Sequence, residues 1–566
     1  VQTRAIRQAL ESRLTLIQGP PGTGKTKTAC NLILSAVRLR QSKGGARWDG
    51  KVMATAFSNV AADNLLEGAL ELGLHAVRIG RPATVRPTLW HATLDALVEN
   101  HPDVVAAKGW VKEVSQSAES SAGSEARRPS TTRGSAGSKP RNSSATTPSQ
   151  SASRRAYAVL EAAQLEAARQ IIKGADVVVC SCVGAGNDAF VRAIGGDQER
   201  GFSSIRFSTV LIDEATQATE AASLVPIIRG CQQLVLVGDQ NQLPPTVICP
   251  EAEDGGLGTS LFSRLMHAGI KPILLNRQYR MHPAISDFPS LHFYDGQVMT
   301  GIRASDRPNP AGFPWPAASG PVAFVRVSES GGEANAGVGG ARRGQLESRG
   351  GTEAAVQGGS FASAALGTSY CNVREAEAVA FALELLLREG DVEAEDVGII
   401  TPYSAQVRLL QDVVGTSRRS AAAATAAAES RRGGEWVRQD EGGAYYGGNG
   451  GGGGAGGRGR RGGRKRGGIG LPEIASVDGY QGREKEVIIL SAVRSNRGGR
   501  VGFLADWRRL NVAITRARRG VVVVGDPDTL KRDRHWRAFL QWCERRGAAM
   551  AEASLYVAGG GGEREE

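Results

Sequence analysis

The sequence predicts an α/β protein built of parallel sheets covered by helices, and two observations carry that prediction. Short β-branched runs bounded by turn residues alternate with helical patterns, and three low-complexity stretches interrupt the alternation without changing its type. The strand-like runs are Leu14 to Gln18, Thr209 to Ile212, Leu234 to Val237, Val397 to Ile400, Val487 to Leu490 and Val521 to Val524. Thr26 to Arg40, Ala156 to Lys173 and Val373 to Arg388 carry helical periodicity between them. A chain of 566 residues exceeds what one ordinary core supports, so two domains plus inserts are expected.

The interruptions are Ser115 to Arg155, rich in Ser, Ala, Thr and Arg; Ser328 to Leu366, rich in Gly and Ala; and Thr416 to Gly468, which runs from polyalanine into Gly/Arg repeats. Such compositions cannot bury enough apolar surface to offset their ordering entropy, so disordered inserts in surface loops are expected, with a disordered tail over 558–566. The formal net charge is +12, and six of those charges (Arg458, Arg460, Arg461, Arg464, Lys465, Arg466) fall in the tract Gly442 to Pro472. That tract reads equally as a flexible spacer or an auxiliary nucleic-acid-binding arm. Seven cysteines without paired spacing suggest neither a disulfide framework nor a zinc module, and Cys180 and Cys182 fit strand-end packing. No apolar run approaches the ~20 residues that span a bilayer. An intracellular setting is expected, nucleus or cytoplasm with the nucleus favoured, and no membrane partner. Because Val1 is the first residue and a phosphate loop follows almost at once, further sequence upstream is expected.

That loop is Gly19-Pro20-Pro21-Gly22-Thr23-Gly24-Lys25-Thr26, between a strand and a helix. Glycines let backbone N–H groups curl round phosphates, the helix N-terminus adds its dipole, Lys25 reaches the β/γ-phosphates and the Thr26 hydroxyl ligates magnesium. A second apolar strand ends in Asp213 and Glu214: the first can hold Mg2+, and the second stands where a general base polarises the attacking water. A third strand runs into Gly238-Asp239-Gln240-Asn241-Gln242-Leu243-Pro244-Pro245, where Gln242 can hydrogen-bond the γ-phosphate or its water.

The loop, Asp213-Glu214-Ala215-Thr216-Gln217, the Gln242 segment, Gln278-Tyr279-Arg280-Met281-His282-Pro283, Val477-Asp478-Gly479-Tyr480-Gln481-Gly482-Arg483-Glu484 and Asn511-Val512-Ala513-Ile514-Thr515-Arg516-Ala517-Arg518 together resemble the ordered motifs of superfamily 1 helicases, in the up-frameshift and senataxin group. Gln-Leu-Pro-Pro at 242–245 leans to the senataxin-like side. The resemblance implies two RecA-like domains, 1–269 and 270–557, with ATP and Mg2+ between them. It implies that Gln2 reads adenine, Tyr279 stacks on the base, Arg280 and Arg516 are arginine fingers from the second domain, and Glu484 contacts the ribose. It also places strand-tracking residues at Ser58, Asn59, Ser181, Val183, Thr401, Pro402, Tyr403, Ser476 and Asp478, whose small polar groups would hold phosphates and sugars without reading bases. The insert at Ser115 to Arg155 falls at the family's second accessory insertion, within the 213 − 25 = 188 residues between Lys25 and Asp213.

The implied activity is an ATP-dependent helicase or translocase on single-stranded nucleic acid, RNA or an RNA/DNA hybrid, travelling 5′ to 3′ and acting as a monomer. The alternatives are a ribonucleoprotein remodeller or clamp that does not separate strands, a DNA helicase, or a binding-only scaffold. A scaffold has no use for a base and two arginine fingers.

Overall fold

The computed structural model describes residues 1–42, 50–125, 148–195, 205–327, 333–335, 369–389, 391–417 and 470–558. Seven strands make one parallel sheet: β1 (Leu14–Gln18), β2 (Val52–Ala56), β3 (Ala76–Ile79), β4 (Val177–Ser181), β5 (Thr209–Asp213), β6 (Gln233–Gly238) and β7 (Ile273–Leu274). Their lateral order is β3-β4-β2-β5-β6-β1-β7. Each reads as a mostly apolar run because both faces are covered. On one face Ile17, Ala54, Leu211 and Val235 meet the helices α1 (Gln2–Glu11), α2 (Lys25–Gln41) and α3 (Asn59–Glu71). The alternate residues Leu16, Met53, Val210, Ile212 and Leu236 meet Phe190, Phe207 and Phe262 on the other. The period of two thus splits each strand between two cores.

A short parallel pair, β8 (Arg277–Gln278) with β9 (Met299–Thr300), completes this unit. The chain divides into Val1–Tyr279 with Gln297–Gly301, and Arg280–Gly296 with Ile302–Glu566. The sequence reading put the boundary at 269/270; β7 and β8 carry the first unit ten residues further, and β9 returns to it.

In the second unit the strands are β10 (Val322–Arg326), β11 (Glu333–Asn335), β12 (Tyr370–Asn372), β13 (Val397–Thr401), β14 (Glu473–Ser476), β15 (Lys485–Ser491), β16 (Ala517–Gly525) and β17 (Ala549–Ala551). Six of them form a parallel sheet ordered β14-β13-β15-β16-β10-β17, while β11 and β12 pair antiparallel. Its winding repeats that of the first sheet. In chain order β1, β2, β4, β5, β6 lie side by side as 4-2-5-6-1, and β10, β13, β14, β15, β16 lie as 14-13-15-16-10. A detail repeats too: Cys182 N–H donates to Ala56 C=O just past β4 and β2, and Val477 N–H donates to Thr401 C=O just past β14 and β13. These are two RecA-like sheets, as the resemblance implied.

The described residues reach into all three interruptions. Helices Pro102–Glu125 and Pro148–Gly174 occupy both flanks of the Ser115 to Arg155 stretch and pack on each other, so Leu, Val and Ala spacing in the flanks outweighs the Ser-rich composition between them. Residues 126–147 lie outside the described residues. From Ser328 to Leu366 only β11 is described, and it is ordered by pairing with β12. The helix over 404–417 takes in the first two residues of the third stretch; its remainder, with the Gly/Arg tract, lies outside the described residues, as do 559–566.

Candidate nucleotide site and strand-facing residues

β1 delivers the chain to Gly19, whose N–H donates to Gly238 C=O at 2.9 Å and so ties the loop to the end of β6. Gly22 and Gly24 take φ of 73° and 80°, the left-handed region that glycine enters without a Cβ penalty. Gly24 is also the N-cap of α2 and offers no side chain, so the first N–H groups of α2 are left for an anion. Thr23 Oγ1 donates to Pro20 C=O at 2.7 Å and closes the turn over the buried Pro21. Lys25 folds back over the loop: its Nζ donates to Gly19 C=O at 2.8 Å and stands 3.8 Å from Glu214 Oε1.

At the end of β5, Asp213 is buried and accepts from Thr26 Oγ1 at 3.4 Å and from Glu214 N–H at 2.9 Å. Burial, with Glu214 beside it, pushes the Asp213 carboxyl up to about 7, and Lys25 opposes that rise. A buried carboxylate next to a second one, facing a hydroxyl, is a hard-oxygen donor set short of positive charge, which fits Mg2+. Glu214 itself has φ 50°, an uncommon backbone state for a residue with a Cβ and one that concentrates at functional sites. Its Oε2 accepts from Gln217 Nε2 at 3.0 Å.

One strand over, Gln242 is buried and donates through Nε2 to Asp239 Oδ2 at 2.7 Å, while Asp239 Oδ1 accepts from Gln18 Nε2 at 3.4 Å. Gln2 Nε2 donates to Thr23 C=O at 2.9 Å, so this amide lies on the phosphate loop. Tyr279 departs from expectation. It belongs to the first unit, donates its N–H to Gly22 C=O at 2.8 Å, and lays its half-exposed ring over Gly301, where a Cβ would come within 2.7 Å of the ring. The β8–β9 pairing brings Gly301 beneath it, and no local pattern around Tyr279 announces that.

The second unit gathers Arg280, Glu484 and Arg516. Arg280 donates through Nε to Glu484 and through Nη1 to Thr515 C=O at 3.0 Å. Burial would raise the Glu484 carboxyl, but Arg280, with Arg518 and Arg516 behind it, holds it below the usual carboxylate range. In this structure Glu484 is thus an ion-pair partner of Arg280. Arg516 is buried, with Nε donating to Val512 C=O at 3.0 Å and Nη2 to Thr515 Oγ1 at 3.3 Å.

The strand-facing candidates collect at the carboxyl ends of neighbouring strands, where open α/β sheets bind ligands. Past β2, Ser58 caps α3 by accepting from Ala61 N–H, and Asn59 Oδ1 accepts from Arg78 Nη2 at 3.1 Å. Past β4, Ser181 Oγ accepts from Gly184 N–H at 3.1 Å, and Val183 stands 65% exposed. Past β14, Ser476 Oγ accepts from Gly479 N–H at 3.2 Å, and Asp478 accepts from Arg509 Nε at 3.4 Å. Thr401 is buried at the end of β13, its Oγ1 without a hydrogen-bond partner among the described residues. Pro402 is half-buried, and Tyr403 is buried with its hydroxyl accepting from Arg494 Nη1 at 3.3 Å.

Sequence reasoning quoted Asp239 and Gln217 inside their motifs without a role, although each orients an acid or amide that it did name. Arg78 and Asp63 were missed outright. Arg78 is fully buried, bonds Asp63 Oδ1 at 3.0 Å, and so holds Asn59 in place; an arginine inside the apolar strand β3 was the available signal.

A glycine loop opening α2, a paired acid one strand removed, and a glutamine just past the end of the strand between define a phosphate-loop nucleotide-binding protein of the RecA-like kind. Two family models, each described as an AAA domain, match residues 1–250 and 257–528. A regulator of nonsense transcripts 1 homolog from Drosophila melanogaster is 32% identical over 557 residues, 98% of this chain and 36% of its own length. Its Arabidopsis thaliana counterpart is 33% identical, over 95% of this chain and 33% of its own length. The ATP-dependent helicase NAM7 of Saccharomyces cerevisiae is 31% identical, over 98% of this chain and 44% of its own length. An arterivirus nonstructural protein 10 helicase structure aligns with 92% of the chain at 11% identity and a TM-score of 0.32. The chain belongs to the superfamily 1 helicases, in the up-frameshift-like group, and spans less than half the length of these curated relatives.

Proposed function

We propose that the chain is an ATP-driven motor that moves along single-stranded nucleic acid and separates duplexes. The observation that supports this reading best is the grouping of Lys25, Thr26, Asp213 and Glu214 at one strand end, with Gln242 alongside. In this reading the loop N–H groups and Lys25 bind the triphosphate of ATP, and Tyr279 and Gln2 hold its base. Mg2+, held by Thr26 and Asp213, would neutralise charge on the phosphate oxygens. Glu214 orients the attacking water and takes its proton, and Gln242 reports the state of the γ-phosphate to the strand-facing loops. By family likeness, Arg280 and Arg516 are the cations that the second unit supplies to the γ-phosphate.

Ser181 and Ser476 end strands and Ser58 lies just past one, each next to backbone N–H groups, a chemistry suited to a sugar-phosphate backbone of any sequence. The relatives' names, regulators of nonsense transcripts, favour RNA as the track; an RNA/DNA hybrid as an alternative track, 5′ to 3′ travel and a ribonucleoprotein setting belong to the reading by family resemblance. An intracellular, monomeric enzyme is part of the same reading. A ribonucleoprotein remodeller that opens no duplex is the second reading, because the strand-facing residues named here would grip without separating.

Glu214→Gln tests the chemistry: nucleotide binding should persist while turnover falls by about 10²–10⁴-fold. Undiminished hydrolysis would remove Glu214 from its role. A labelled duplex with a 5′ overhang, offered as RNA and as DNA, separates helicase from remodeller.

A further inference from the structure

The second unit contains a cavity of about 370 Å³ of whose lining the assignments above use only Tyr403; Tyr370, Tyr403, Arg494, Phe503, Asp506 and Arg509 line it. We propose that it takes one unpaired base of the bound strand, with Phe503 as the stacking platform. The inference rests on the motor reading above and names a contact within it.

The lining is aromatic and cationic. The Tyr370 and Tyr403 rings lie 5.5 Å apart, Tyr403 and Phe503 lie 5.7 Å apart, and the Arg509 guanidinium stands 5.5 Å over the Phe503 ring. Phe503 is 52% exposed, although it is a large apolar ring on a well-packed unit. Arg494 lies 4.1 Å over Tyr370 and already donates to Glu333 and to the Tyr403 hydroxyl. The pocket therefore presents flat faces more than hydrogen-bonding edges. That suits a base held by stacking, which tolerates any sequence.

The backbone around the pocket is strained to make it. Val493 takes φ 71°, which a β-branched residue rarely adopts. Fully buried Glu375 holds it there, accepting from Val493 N–H and from Ser491 Oγ, both at 2.7 Å. The next residue is Arg494. Gly502, at φ 57°, closes on the other side: a Cβ there would fall 2.5 Å from Arg494 Nη1 and 2.7 Å from the Tyr403 hydroxyl. A strained turn and a glycine approach both serve one wall, and such strain concentrates at binding sites. Position names the occupant. Tyr403 follows Thr401 and Pro402, and Arg509 pairs with Asp478, so two lining residues adjoin the two loops assigned to the strand's backbone.

The test compares binding of a fluorescent single-stranded RNA with that of a strand of equal length whose sugars carry no bases. Phe503→Ala and Phe503→Leu should each bind the base-bearing strand roughly tenfold more weakly. Neither should change binding of the abasic strand, and Phe503→Trp should bind the base-bearing strand as well as the wild type. The leucine variant keeps the apolar volume and so separates loss of a ring from loss of packing. Equal weakening on both strands, or no weakening on either, overturns the pocket. If the wild-type chain binds neither strand, the motor reading falls with it; if the wild type binds both and the variants do likewise, only the pocket falls.

Discussion

Replacing Gly19 by alanine should cripple nucleotide turnover by moving one lysine. A Cβ at Gly19 would stand 2.6 Å from Lys25 Cδ and 3.4 Å from its Cβ, and nearer still to Cγ. Carbon atoms rest at about 3.5–4.0 Å, so the Lys25 stem must withdraw by roughly 1 Å or more. Its Nζ now sits 2.8 Å from Gly19 C=O and 3.8 Å from Glu214 Oε1, and both distances depend on that stem. A misplacement of about 1 Å in a catalytic group costs roughly 10²-fold in rate, or about 2.7 kcal/mol. Steady-state ATP hydrolysis in the presence of single-stranded RNA gives kcat and KM, and a fluorescent ATP analogue gives binding separately. Gly109→Ala is the matched control. Nothing lies within 4 Å of a Cβ at Gly109, a helix-interior position where alanine adds about 0.5–1 kcal/mol of stability. Turnover by Gly19→Ala that equals that of Gly109→Ala would refute the close-approach argument.

Two further substitutions test the frame behind the sites. Asp63→Asn leaves Arg78 buried without its countercharge and should cost about 3–5 kcal/mol, read by chemical denaturation; a loss below 1 kcal/mol would mean that Asn59 and Ile79 C=O suffice. Glu375 is fully buried, and burial pushes its carboxyl up to about 8 from an ordinary 4.5. Because the folded state holds that proton more tightly than the unfolded state, its contribution is most favourable below about pH 4.5 and is lost as pH rises towards 8. The difference of about 3.5 pH units bounds the loss at about 5 kcal/mol. Glu375→Gln should remove that limb, so its stability relative to the wild type should climb between pH 5 and pH 8. A difference flat in pH would mean that Glu375 stays charged inside the fold.

Local pattern determined most of what this chain is. The apolar runs that become β1, β5, β6, β13, β15 and β16 were legible because burial on both faces leaves a continuous signature in a few residues. The phosphate loop, Asp213 and Glu214 were legible because a strand end and a helix start are local events, and Gly22, Gly24 and Lys25 are spaced by the turn they must make. Composition misled at Ser115 to Arg155, where the helical period of the flanks decides their structure. Only the tertiary structure decided which residues meet. Tyr279 rests on Gly301 in the first unit, Gln242 is steadied through Asp239 by Gln18, and Arg280 finds Glu484 204 residues away. The second unit's cavity joins Tyr370, Tyr403 and Phe503 from three separate segments. Such meetings follow from the lateral order of strands in a sheet, and that order is set by how crossovers pack, which the period of a single strand does not record.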